Sequence, residues 1–300
     1  MKSTLVFASL CLFVLNANHA QNVLKGWIKD QITSKSIPFA SISYKNQPIG
    51  VYGNEDGYFE LNLKKDLPDS LVVGCLSYEK KVLTVQNIQQ NSTIYLTPVD
   101  NKLAEIKITP KKKSKIVTKA LGAHTAKPNN VYTSGHTSEG YTLLCFINNP
   151  NLSNAQIREA VYVIEPKYQM DSAVVKIHLF GKDKYSSDPK PSEELIKENL
   201  YVTIPPKTKK FKVNLEKYAL IMPDEGIFIG LEWVKGHVSK RFSFQGTVFA
   251  PVYRGTYEEQ PYHFIYRNFM NQGWERMPLK SFEGSVSTPM FGLNVLVEKE

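Results

Sequence analysis

Asn54-Glu55-Asp56-Gly57-Tyr58-Phe59-Glu60-Leu61-Asn62-Leu63 is a turn that runs straight into a strand. Asp-Gly supplies a residue at ease with positive φ, which a tight hairpin turn needs. After it, Phe59, Leu61 and Leu63 alternate with Glu60 and Asn62, so one face of the strand is apolar and the other polar. Upstream, Phe39-Ala40-Ser41-Ile42-Ser43-Tyr44 also alternates, and Leu24-Lys25-Gly26-Trp27-Ile28-Lys29-Asp30 opens the pattern. Downstream, Asp69-Ser70 precedes the apolar run Leu71-Val72-Val73-Gly74-Cys75-Leu76, and Thr93-Ile94-Tyr95-Leu96 closes the segment. Short strands at this spacing, with no helical period between them, predict a small β-sandwich over residues 21–100. The acidic turn lacks the alternating acidic spacing and distal Glu of a calcium loop, so it reads as a hairpin and not a metal site.

These residues resemble the carboxypeptidase-like regulatory domain family. The family's G-x-[IV]-x-D start is present as Gly26, Ile28 and Asp30, and its I-P-x-A-x-I strand as Ile37, Pro38, Ala40 and Ile42. Its hairpin is Asp56-Gly57-Tyr58-Phe59-Glu60-Leu61, its Gly-Tyr pair is matched by Ser77-Tyr78, and its terminal I-x-L by Ile94-Tyr95-Leu96. Ser77 stands where the family often has Gly. The resemblance implies a seven-stranded, transthyretin-like β-sandwich without catalytic residues. Such domains recur in exported bacterial envelope proteins, often ahead of TonB-dependent transporters or other β-domains.

The chain has 300 residues, 42% of them hydrophobic and 22% charged, which is the composition of a core-forming protein and not a disordered one. Its net charge of +9 suggests nucleic acid until it is located. Residues 1–100 carry 9 Lys/Arg and 8 Asp/Glu, and residues 131–300 carry 20 and 19; residues 101–130 carry 8 and 1. The excess belongs to one segment containing Pro110-Lys111-Lys112-Lys113. It reads as a solvated linker, and no nucleic-acid partner is expected. Residues 1–20, with Lys2, an apolar run over 5–15 and Ala20, read as a secretory signal peptide. Residues 8–10 before Cys11 make a poor lipidation signal. No apolar run of about 18 residues follows, so no transmembrane segment is expected. Cys75 and Cys145 read as free, buried thiols.

From Tyr141 the β pattern resumes, with strands expected over 141–147, 158–165, 173–180, 200–204, 209–215, 227–234, 242–249, 263–267 and 289–297. Only residues 192–199, after Pro191, look able to make a turn or two of helix. The expected fold class is all-β: the first sandwich followed by a larger jelly-roll-like β-sandwich over 131–300. Residues 174–233 are also similar to β-rich regions that follow regulatory-like domains in exported bacterial proteins, a resemblance that transfers no activity.

The search for chemistry yields little. His136-Thr137-Ser138-Glu139 has the H-x-x-E spacing of a zinc carboxypeptidase, with His263 as a distant third ligand. The domain order is reversed relative to that family, and no alternation of helices and strands follows, so no metal and no cofactor is expected. His124 falls in the linker, His237 follows a turn, and His178, alternating with Lys176, reads as a surface residue. No nucleophile elbow or phosphate-binding glycine loop is present. The one feature with a binding flavour is late aromatic density. Trp274, Tyr253, Tyr257 and Arg254 are the candidate ligand-binding residues, because ring faces stack on sugars or peptides while polar neighbours orient them. Tyr262, Phe264 and Tyr266 are expected to face the core, and Trp274 to be partly exposed. The sequence therefore predicts a non-enzymatic, exported envelope protein that acts as a binding, scaffolding or assembly module. Its partner is expected to be an envelope protein, glycan or peptide.

Overall fold

The computed structural model describes residues 23–99, 115–128, 130–132, 139–242, 246–257, 265–269, 273–277, 281–282 and 285–299. Within the first domain, β1 (Val23–Asp30), β2 (Ser41–Tyr44), β3 (Gly50–Tyr52), β4 (Tyr58–Asn62), β5 (Ser70–Gly74), β6 (Lys81–Thr84) and β7 (Thr93–Leu96) form two sheets. Their orders are β4-β1-β7 and β3-β2-β5-β6. β1 shows why: Leu24, Gly26 and Ile28 point inward and are buried, while Lys25 and Trp27 point out. The facing sheets enclose Ile28, Ile42, Phe59, Leu71 and Leu96, each almost wholly buried. Burying each such side chain contributes about 1.5–3 kcal/mol.

The family motif residues have physical jobs here. Gly57 adopts φ 70° in the hairpin turn, and a Cβ there would lie 2.6 Å from the Ile28 carbonyl oxygen. The Asp30 carboxylate accepts hydrogen bonds from the backbone N–H of Ile32 (2.8 Å) and Thr33 (2.7 Å) and from the Tyr78 hydroxyl (2.9 Å). The Thr33 N–H bond leads in holding its pKa below the ordinary value. Ser77 sits at φ 69°, the left-handed region that explains a family preference for Gly at this position. Between β6 and β7 lies a helix the sequence reading does not anticipate, α1 (Val85–Gln90). Thr84 caps it by accepting from the Asn87 N–H at 3.1 Å, and the Asn87 side chain accepts in return from the Thr84 N–H.

The second domain contains β8 (Ile116–Gly122), β9 (Asn130–Tyr132), β10 (Tyr141–Ile147), β11 (Gln156–Val163), β12 (Ala173–Lys182), β13 (Pro191–Glu194), β14 (Tyr201–Ile204), β15 (Lys210–Asn214) and β16 (Ile227–Lys235). β17 (His237–Phe242), β18 (Gly246–Ala250), β19 (Tyr253–Thr256), β20 (Ile265–Phe269), β21 (Glu275–Arg276), β22 (Ser281–Phe282), β23 (Ser285–Val286), β24 (Thr288–Pro289) and β25 (Phe291–Glu298) follow. Two antiparallel sheets stack. One has the order β13-β12-β16-β10-β20-β21, with β14 also on β12, and the other the order β15-β11-β25-β8. Leu143, Ile177, Ile229, Leu231 and Trp233 of the first sheet pack on Tyr162, Phe291, Leu293 and Val295 of the second. The chain is all-β apart from α1 and one short 3-10 turn among the described residues.

Several sequence expectations are corrected. Residues 192–199 make no helix; Pro191–Glu194 is an edge strand paired with β12. The strand expected over 242–249 is instead the hairpin β17-β18. Residues 116–122, read as linker, pair along β25. That edge strand buries only Leu121 and carries Lys119 mid-strand, so it lacks the apolar alternation that would reveal it. His124 is buried, 3.2 Å from Asn294 Oδ1, and not in a tether. Cys75 and Cys145 are free thiols, as expected, but only Cys145 is buried; Cys75 is half-buried. Among the described residues no helix is long and apolar enough to cross a membrane.

Candidate functional site

β10 and β16 are buried on both faces, because the first sheet of the second domain is covered on its outer side as well. That outer side is a ladder of three rungs set by strand register. The polar rung runs Tyr201, Lys176, Glu232, Thr142, Asn268; the next runs His178, Gly230, Leu144, Tyr266; the third runs Phe180, Phe228, Phe146. The lower rungs close into a small apolar cluster of Leu144, Phe146, Phe228 and Tyr266, against which Phe180 and Trp274 pack. The polar rung meets the first domain.

His178 sits between two carboxylates. Its Nδ1 lies 2.8 Å from Glu194 Oε2 and its Nε2 lies 2.8 Å from Glu232 Oε2. Gly230, its neighbour in register, has no side chain to block the reach to Glu232. Burial alone would lower the His178 pKa, but the Glu194 charge and the two hydrogen bonds outweigh it and raise it. For Glu232, burial pushes upward, yet the His178 contact, the Lys176 charge and a hydrogen bond from Tyr52 hold the carboxyl down at about 2. The Tyr52 hydroxyl, on β3 of the first domain, donates to Glu232 Oε1. Burial and that carboxylate push the Tyr52 pKa well above its ordinary value.

Further bonds join the sandwiches beside this chain. Asn199 Nδ2 donates to Cys75 Sγ at 3.2 Å and to the Leu76 carbonyl at 3.1 Å. The Ser77 hydroxyl donates to the Lys197 carbonyl, and the Phe39 and Tyr201 rings are 4.8 Å apart. Between the contacts lies a cleft of about 300 Å³, walled by Phe39, Tyr52, Tyr201 and Trp274, with Lys176 and Asn199 among its polar lining. Asn199 Oδ1 is buried without a hydrogen-bond partner. Burial raises the Cys75 thiol pKa, so it is not an activated nucleophile.

Of the four candidate ligand-binding residues, the structure brings one to the cleft. Trp274 is half-buried and edge-on to Phe180 at 5.1 Å. Tyr253 is a core residue, 1% exposed, packed on Trp233 and Phe291. Arg254 is half-buried and ion-paired with Glu165. Tyr257 is half-buried and does not line the cleft. Tyr266 is buried at 6% exposure, while Tyr262 and Phe264 lie outside the described residues. So do His136 and His263 of the zinc spacing; Glu139 is half-buried, and burial raises its pKa. Among the described residues no His, Cys, Asp or Glu group is placed to hold a metal ion.

Sequence reasoning misses His178, Glu194, Glu232 and Tyr52. The alternation of Lys176 and His178 against Val175, Ile177 and Leu179 assigns His178 to the correct face. Nothing local says that the first domain meets that face.

The family model described as CarboxypepD_reg-like domain matches residues 24–108. No curated protein matches the chain.

Proposed function

We propose that this carboxypeptidase-like regulatory domain and the sandwich behind it form an exported, non-enzymatic cell-envelope protein. It acts as a binding, scaffolding or assembly module, with the cleft between the sandwiches as its ligand site. The observation that carries the reading is a ring-walled cleft whose His178, Glu194 and Glu232 floor is satisfied by its own members. Both His178 nitrogens face carboxylates, so no lone pair is left for a general base. Glu232 accepts from His178 and Tyr52 and is held ionised, which suits a fixed scaffold better than a proton shuttle. The walls, by contrast, offer the ring faces of Phe39, Tyr201 and Trp274, the lining of a binding site. The apolar run over residues 5–15 after Lys2 supports export.

Phe39, Tyr201 and Trp274 favour one version of this reading, a carbohydrate- or peptide-binding accessory protein. Tryptophan fluorescence tests it, in a Trp27→Phe background so that Trp274 reports against the buried Trp233. A panel of neutral and acidic oligosaccharides and short peptides is titrated into the purified protein. The expected result is a saturable change with at least one member; calorimetric titration of that member, which does not depend on the reporter ring, should show its binding lost in Trp274→Ala. Binding that survives Trp274→Ala and Phe39→Ala unchanged, or no binding by any member, overturns the reading.

A further inference from the structure

We propose that the cleft selects a carboxylate-bearing ligand. Lys176 would pair with the carboxylate, and Asn199 Oδ1 would accept from a neighbouring N–H or O–H of the same molecule. The inference rests on the reading of the cleft as a ligand site and deepens it.

The charged groups lining the cleft are Lys80, Lys176 and His178 against Glu194 and Glu232. The carboxylates are already committed. Glu194 and Glu232 face the two nitrogens of His178, and Glu232 also accepts from Tyr52. Lys80 is exposed at the mouth, but Lys176 is half-buried. Glu232 and Tyr201 are its register neighbours on either side; its charge helps hold Glu232 ionised, but it forms no hydrogen bond or ion pair with either. Among the described residues its ammonium has no ion pair or hydrogen bond. A partly desolvated cation without a bonded partner is a site for an anion, because pairing restores the interaction lost from water. Asn199 is the complementary feature. Its amide nitrogen is spent on Cys75 and Leu76, leaving a buried oxygen unsatisfied on a residue that lines the same cavity. A buried acceptor without a donor costs stability until a donor arrives. One ligand that carries a carboxylate beside a donor satisfies both, with its apolar part against Trp274 or Phe39.

That chemistry has two sources, the C-terminal residue of a peptide and an acidic sugar. Gly-Gly-Phe and its C-terminal amide form one pair of probes; digalacturonate and its uncharged counterpart galactobiose form the other. Calorimetric titration of the purified protein is expected to show one acidic probe binding at least about tenfold tighter than its uncharged partner. Preference within the peptide pair identifies a peptide terminus, and preference within the sugar pair an acidic glycan. The preference should disappear in Lys176→Met and persist in Lys176→Arg, with the affinity for the uncharged probes unchanged in both. Equal binding of charged and uncharged probes, lost in Trp274→Ala, overturns the carboxylate inference while leaving the cleft as a ligand site. No binding by either acidic probe up to about 1 mM, or an acidic preference indifferent to Lys176→Met, also overturns it.

Discussion

His178 shows what a buried charge does when its partners come from several elements. It stands on β12, Glu194 on β13 and Glu232 on β16, and Tyr52 reaches Glu232 from the other domain. Buried ions are tolerated when paired and hydrogen-bonded, and breaking such a pair costs about 3–5 kcal/mol. The stability they contribute depends on pH in a definite direction. The His178 pKa is raised above its ordinary 6.5, so its contribution is complete below that pH and is lost as pH rises through the raised value. Glu232 is held at about 2 against an ordinary 4.5, so its contribution is complete above 4.5 and is lost as pH falls toward 2. Urea midpoints should therefore peak between these ordinary values and fall on both sides. In His178→Gln the alkaline decline should flatten. An alkaline decline of unchanged slope in that variant contradicts the assignment. At this scale the sequence is half legible: alternation places the face of His178, but its partners Glu194 and Glu232 lie on other strands, and Tyr52, which bonds Glu232, lies in the other domain.

Elements were legible where one face is apolar and the other polar. β1, β4 and β15 alternate and were expected close to where they fall. β10 was expected from its unbroken apolar run, which also reflects burial on both faces. β8 is not legible because an edge strand with lysines resembles a linker, and α1 because six capped residues are too few to show a helical period. The late aromatic segment divides at this level. Tyr266 on β20 meets Phe228 edge-on at 5.5 Å inside the apolar cluster, whereas Trp274 rests against the rim at Phe180. Tyr266→Ala should cost about 3–5 kcal/mol, as truncation of a buried ring does. Trp274→Ala should cost clearly less. Thermal unfolding compares them directly, and a larger loss at Trp274 would reverse the assignment of faces.

At the scale of the whole molecule, the sequence suggests two sandwiches on a basic tether. The structure adds contacts between them: Tyr52 on Glu232, Asn199 on Cys75 and Leu76, and Phe39 on Tyr201. No periodicity argument reports such an interface, because each contact uses a single polar or aromatic residue at a loop or strand end. Docking creates the cleft, and neither domain forms it alone. The measurement that tests this most directly is hydrogen exchange with and without the tightest-binding member of the oligosaccharide and peptide panel. Protection is expected simultaneously on both walls, over residues 74–80 of the first domain and 194–201 of the second. Protection confined to one domain, or centred on the exposed Trp27 and its half-buried neighbour Tyr58 on the first sandwich, would contradict a shared site between them.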